Sequence, residues 1–240
     1  MTKKMINQNS KYKKELINTV ESKFIFSSSP LNRFKVIENP KNNQILDKKE
    51  QIIQLRNKLN SIEDCVLKQN SKNLILGDGN LNSSIMLIGE APGPEEDTSG
   101  KSFKGETGDL LDKMLGAINI QRQNIYLSYA INFRPPEDRK PTSQEIKRYS
   151  RYVKEHISII DPKIVILMGS TAMEAVTSIT NKISSERGNW KEIIIENKTY
   201  PLIITFNPSY LIRFPENKKH SWEDLKKLRK KIEDLKLKSK

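Results

Sequence analysis

Four largely apolar runs punctuate this chain: Ile85-Met86-Leu87-Ile88, residues 125–131, the continuously apolar Ile164-Val165-Ile166-Leu167-Met168, and residues 199–206. They have strand length and lack the apolar/polar alternation of a half-solvated sheet. Between them the period lengthens. Leu110, Leu111, Met114, Leu115 and Ile118 recur at helical spacing, and Ile52, Ile53, Leu55 and Leu59 form a similar stripe from Lys48 to about Asn60. Thr142-Ser143-Gln144-Glu145 is a capping box opening a helix to about Ile160, where Pro162 stops it. Gly169-Ser170 starts a further helix, and 192–196 reads as a hairpin partner of 199–206 about Asn197-Lys198. Gly77-Asp78-Gly79-Asn80 reads as a turn into the first strand, and a Lys-rich helix closes the chain from about Ser221. Strands apolar on both faces, alternating with long helices, predict an α/β fold with three α/β/α layers and a mostly parallel central sheet. Residues 1–47 are dense in Lys, Asn and Ser, with a lone apolar patch at Phe24-Ile25-Phe26, and read as a poorly ordered extension. Residues 48–240 are then the folded domain.

In such a sheet, loops leaving the carboxyl ends of the strands build the site. Two follow apolar runs directly: Gly89-Glu90-Ala91-Pro92-Gly93 and Asn207-Pro208-Ser209-Tyr210-Leu211. A Gly/Pro-rich loop with one carboxylate, set beside an Asn-Pro-Ser loop, suits a pocket for a flat polar ligand.

Charge narrows the partner. The 240 residues carry 42 Lys+Arg against 29 Asp+Glu, a formal +13. That excess favours a polyanion, because neutralising phosphates releases counterions; a genome-wide preference for Lys and Asn would raise the same count. Cys65 is the single cysteine, which excludes an internal disulfide and an all-cysteine metal site. No apolar run has membrane-spanning length, and the N-terminus lacks the apolar segment of a signal peptide. A cytoplasmic protein with a nucleic-acid partner and no membrane association is expected.

Several motifs now agree in order. Gly89-Glu90-Ala91-Pro92-Gly93-Pro94-Glu95-Glu96-Asp97, followed by Gly100-Lys101-Ser102-Phe103, Gly105 and Gly108-Asp109-Leu110-Leu111, resembles the first motif of family-4 uracil-DNA glycosylases. Arg134-Pro135-Pro136 with Arg139 and Pro141, then Pro162-Lys163, Gly169, Ala172, Arg187-Gly188 and Trp190, continue the match. Asn207-Pro208-Ser209-Tyr210-Leu211-Ile212-Arg213 resembles the second motif, and Trp222-Glu223-Asp224-Leu225 the final helix. The resemblance spans about residues 60–230.

It implies an enzyme that flips a base out of DNA and hydrolyses its N-glycosidic bond. Phe103 would stack under the base, in a pocket shared with Gly89 and Ala91. Glu90 would orient water or stabilise the sugar cation, and Asn207 would donate to the uracil O2 as charge develops there. Leu211 would wedge into the vacated stack, with Arg213 on a phosphate. Ser209, Tyr210, Ser170 and the Gly169 loop are further DNA contacts. Simpler readings stand beside these: Phe103 or Leu211 as core, Glu95-Glu96-Asp97 as a solvated acidic turn, and His156 and His220 as structural or surface residues.

The chain also departs from the family. The four cysteines that hold a 4Fe-4S cluster there correspond here to Ile62, Cys65, Phe133 and Tyr149. One thiolate cannot hold a cluster needing four, so no cofactor is expected. Asn207 stands where family 4 has His, which resembles the mismatch-specific branch of the superfamily. Tyr129 replaces the Asn that reads the uracil edge: either it reads the base differently, or base specificity has shifted, or the pocket is closed. Two functions remain open, excision of uracil or a related deaminated base, and binding of damaged or abasic DNA with little excision.

Overall fold

The computed structural model describes residues 47–237; positions 1–46 of the predicted extension lie outside the described residues. The described strands are β1 (Gly77–Gly79), β2 (Ile85–Gly89), β3 (Tyr126–Tyr129), β4 (Ile164–Met168), β5 (Trp190–Ile195) and β6 (Lys198–Thr205). They form one sheet in the order β1-β3-β2-β4-β6-β5. The four inner strands run parallel, and β1 and β5 pair antiparallel at the edges. The helices are α1 (Lys48–Asn60), α2 (Val66–Asn70), α3 (Pro94–Ser99), α4 (Gly105–Gly116), α5 (Ser143–Ile160), α6 (Ser170–Thr177), α7 (Ile183–Glu186), α8 (Pro208–Arg213) and α9 (Lys218–Asp234).

Each inner strand feeds two cores because successive side chains point to opposite faces. Ile85 and Leu87, Ile164 and Ile166, and Ile203 join α4 and α9 on one side. Met86 and Ile88, Val165 and Leu167, and Leu202 and Ile204 join α5 and α6 on the other. This is the predicted α/β/α layering, and it explains why the strands read as largely apolar runs. The Thr142 box caps α5 as expected: Thr142 Oγ1 accepts from the Glu145 amide, and the Glu145 carboxylate accepts from the Thr142 amide at 2.7 Å.

Two local readings change. Gly77–Gly79 is an edge strand and not a turn, because its backbone pairs with β3 although no side chain there favours a strand. The Asn207 segment is not a loop throughout: from Pro208 it is the short helix α8.

His156, on α5, lies buried against β3. Its Nδ1 is 3.2 Å from Ser128 Oγ and its Nε2 3.0 Å from the Tyr126 hydroxyl. Burial pushes its pKa down to about 3. The unfolded chain takes up this proton below about pH 6.5, and the folded protein does not until about pH 3. Stability is therefore full above pH 6.5 and falls by about 1.4 kcal/mol per pH unit as pH drops. Glu145, lowered from 4.5 to about 2 chiefly by its hydrogen bond with Arg139, weakens only in stronger acid. Denaturant titrations between pH 7 and 5 should thus show a downward slope that His156→Gln abolishes; equal slopes in both proteins would refute this assignment.

Candidate active site

Parallel pairing brings four strand ends level. Gly89 is opposite Tyr129, Ile88 opposite Leu167, and Met168 opposite Thr205. The residues that follow line a cleft of about 690 Å³, among them Glu90, Ala91, Phe103, Tyr129, Gly169, Ser170, Asn207, Ser209, Tyr210 and Arg213. The two sequence loops thus meet across β4.

Glu90 is clamped at the amino end of α6. Its Oε1 accepts from the Thr171 amide at 2.9 Å and from Ser170 Oγ at 3.3 Å, where the helix dipole favours a negative charge. Gly169 makes room for this. Its φ is +99°, and a Cβ there would lie 2.3 Å from the Glu90 carboxyl carbon. No described residue donates to Oε2, which leaves that oxygen for chemistry in the cleft.

Asn207 caps α8. Its Oδ1 accepts from the Ser209 amide and the Ser209 hydroxyl, both at 3.1 Å. That decides the orientation of the side-chain amide, since a flipped group would point its NH2 at an N–H donor. The NH2 is therefore the group left for a ligand, with one long contact of 3.4 Å to the Met168 carbonyl.

The Phe103 loop is held amide by amide. Ser102 N–H donates to Asp78 at 2.7 Å, Phe103 N–H to the Tyr129 hydroxyl at 2.8 Å, and Lys104 N–H to Glu96 at 2.9 Å. Phe103 itself adopts φ +48°, a left-handed conformation costly for a bulky residue. Its ring stacks on Tyr129 with centroids 4.7 Å apart and planes 20° from parallel. Phe103 is 1% exposed and Tyr129 3%. Gly89 permits this packing, because a Cβ would come within 2.7 Å of the Phe103 ring and 2.9 Å of the Tyr129 ring. Burial, then the Glu96 carboxylate, hold the Tyr129 phenol well above its ordinary pKa, so it stays protonated and can donate to Glu96.

Several expected roles are corrected. Leu211 is 1% exposed and packed in the core, so it is no wedge; Phe214, three residues on and 44% exposed, is the apolar side chain that this segment presents. The Gly169 amide bonds the Thr205 carbonyl, Ser170 Oγ serves Glu90, and the Ser209 amide and hydroxyl serve Asn207. None of these donors is free for a phosphate; Arg213, exposed on the rim, remains so placed. Glu96 and Asp97 are buried and not a solvated turn. Glu96 accepts from the Gly93 and Lys104 amides, and Asp97 from Ser71 and the Lys72 and Asn73 amides. Sequence reasoning overlooked Glu96; the signal was a Glu three residues after Gly93, at the place where a capping box turns it back on the backbone.

Residues 76–229 match the uracil DNA glycosylase superfamily. The chain belongs to this superfamily. It is 36% identical over 154 residues to a type-4 uracil-DNA glycosylase of Thermotoga maritima, covering 64% of this chain and 79% of the relative. A type-4 enzyme of Sulfurisphaera tokodaii is 34% identical over 178 residues, 70% of this chain and 79% of the relative. One of Archaeoglobus fulgidus is 28% identical over 172 residues, 70% and 86%.

The positions corresponding to the cluster cysteines do converge, in a third apolar core containing Ile62, Cys65, Phe133 and Tyr149 with Leu55 and Leu59 of α1. They do not fit an iron–sulfur cluster. Ile62 and Phe133 have no ligating atom, the Tyr149 hydroxyl is 3.3 Å from Cys65 Sγ, and the Phe133 and Tyr149 rings meet edge to face. Among the described residues no group of His, Cys, Asp and Glu could hold a metal ion.

Two outcomes are expected. Protein purified without oxygen should contain no stoichiometric iron and no visible absorption band; iron at one cluster per chain would contradict the packing. Gly169→Ala should cost about 1–3 kcal/mol in denaturant unfolding, because the residue is left-handed and its Cβ meets Glu90. Unchanged stability would mean that the carboxylate moves aside freely.

Proposed function

We propose that this protein removes uracil, or a related deaminated base, from DNA by hydrolysing the N-glycosidic bond, acting as a monomer in the cytoplasm. The observation that carries the reading is that one cleft is lined both by Glu90, clamped with one oxygen unused, and by Asn207, whose amide oxygen is taken up by Ser209 so that its NH2 remains for a ligand. In this reading the base enters beside Phe103. As the C1′–N1 bond breaks, its electron pair leaves with the base, and Asn207 Nδ2–H donates to the oxygen on which negative charge grows. Glu90 faces the sugar, where it steadies the positive charge and accepts a proton from the water that adds to C1′. The superfamily membership and the type-4 names of its relatives support the same chemistry.

One observation favours a second reading, binding of damaged or abasic DNA with little excision. Tyr129 covers a face of Phe103, where a base would stack, and neither ring is open to solvent. Excision then requires Tyr129 to swing aside, or to admit the base at another angle.

Gel assays on single- and double-stranded oligonucleotides containing uracil separate the two readings. Asn207→Ala and Glu90→Ala should each slow excision by about 10²–10³ while DNA binding persists. Tyr129→Asn, which replaces a ring by a small amide that reads the uracil edge, should raise excision. If wild type and Tyr129→Asn both leave uracil in place on either substrate, excision is excluded and the binding reading replaces it.

A further inference from the structure

From one wall of the cleft outward runs a ladder of rings that the excision chemistry does not use. Phe206, Tyr210 and Phe214 are spaced four residues apart through α8. Phe206 and Tyr210 stack at 4.9 Å and 25°, and Tyr210 and Phe214 follow at 4.9 Å and 39°. Exposure grows along it, from 4% at Phe206 to 44% at Phe214. The inner end is anchored. The Arg187 guanidinium lies 5.6 Å from the Phe206 ring centre and is paired with buried Asp224, whose carboxylate also accepts from Thr205 Oγ1 at 2.9 Å. The outer end is stiffened by Pro215.

Phe206 and Tyr210 also wall a second groove of about 470 Å³, which shares Lys140, Ser170 and Ile183 with the first. Lys182, Asn181 and Asn217 line it further out. Lys140 and Lys182 here, Arg213 on the cleft rim, and Lys218 and Lys219 just after the ladder form no ion pair among the described residues; one carboxylate, Glu174, is in the groove. A rising series of aromatic faces bordered by unpaired cations is the chemistry that holds unpaired nucleotides. Bases stack on the rings whatever their sequence, and the cations follow the phosphates.

We propose that Phe214, backed by Tyr210, forms a stacking platform for the unpaired base next to the extracted one, with the second groove taking its strand, so that the protein prefers single-stranded or locally opened DNA. This rests on the reading above that the chain acts on DNA. The platform contacts the neighbour of the target base, and its two rings are positioning residues.

The test uses the full chain and uracil-free oligonucleotides of one sequence, single-stranded and duplex, carrying 2-aminopurine as a reporter of base stacking. Wild type should bind the single strand and quench the reporter. Phe214→Ala should weaken that binding roughly 5- to 150-fold and abolish the quench, affect duplex less, and be rescued by Phe214→Trp. Phe214 is largely outside the core, so the variant should keep the wild-type thermal transition. Wild-type single-strand affinity in Phe214→Ala, or weaker binding with the quench retained, overturns the platform while excision by the wild type leaves the proposed function standing. If wild type binds neither form of this uracil-free DNA, the platform falls, and the proposed function is decided by the excision assay alone.

Discussion

The parallel register of β2, β3, β4 and β6 is the constraint on which everything else hangs. Hydrogen-bonded ladders hold these strands in fixed stagger, so Gly89, Tyr129, Gly169 and Asn207 emerge at one edge of the sheet. The ladder even outlasts the strands, since the Ala130 and Ile131 amides bond the Gly89 and Glu90 carbonyls. A shift of one residue in any strand would reverse its apolar faces and misplace its loop together. Stability and site geometry are therefore enforced by the same apolar side chains.

Around that edge the polar groups of the site are mostly engaged with one another. Glu90 is tied to α6, Asn207 to α8, and the amides of 102–104 to three separate side chains. Such a site begins rigid and reorganises little when a ligand arrives, which is the condition under which fixed dipoles act strongly on developing charge. The same engagement limits adaptability. Tyr129 takes part in three contacts at once, a stack on Phe103, a hydrogen bond accepted from the Phe103 amide and one donated to Glu96, so displacing its ring disturbs the loop beneath it.

Much of this was legible in the chain. Largely apolar runs separated by helical stripes revealed the layers, because burial on both faces leaves few polar positions in a strand, here Ser128 and Thr205 with their hydroxyls hydrogen-bonded. The Thr142 box was legible because capping is local. What escaped depended on partners distant in sequence. Gly77–Gly79 is a strand only because β3 lies alongside. Leu211 and Phe214 differ by three residues, and only packing against α4 and α9 decides which is core. Glu96 looked solvated beside Glu95 and Asp97, yet one turn of helix aims it inward. The Tyr129–Phe103 stack joins residues 26 apart and could be suspected but not seen.

The third apolar core has a consequence for the economy of the fold. Where α1 and α5 are joined by the chain's own contacts, apolar packing together with the Lys58–Glu155 ion pair and the Lys48 bond to the Ile160 carbonyl, the free energy of that corner is independent of any small molecule's concentration. A domain stapled by a bound ion gains stability in proportion to the logarithm of free ion over its dissociation constant, and weakens when that supply falls. Here the corner is as firm in a starved cell as in a replete one. Its vulnerability has moved from ligand supply to volume: a methyl group lost from Leu55, Ile62 or Phe133's surroundings is felt, because a close-packed interior has no spare material to close the gap.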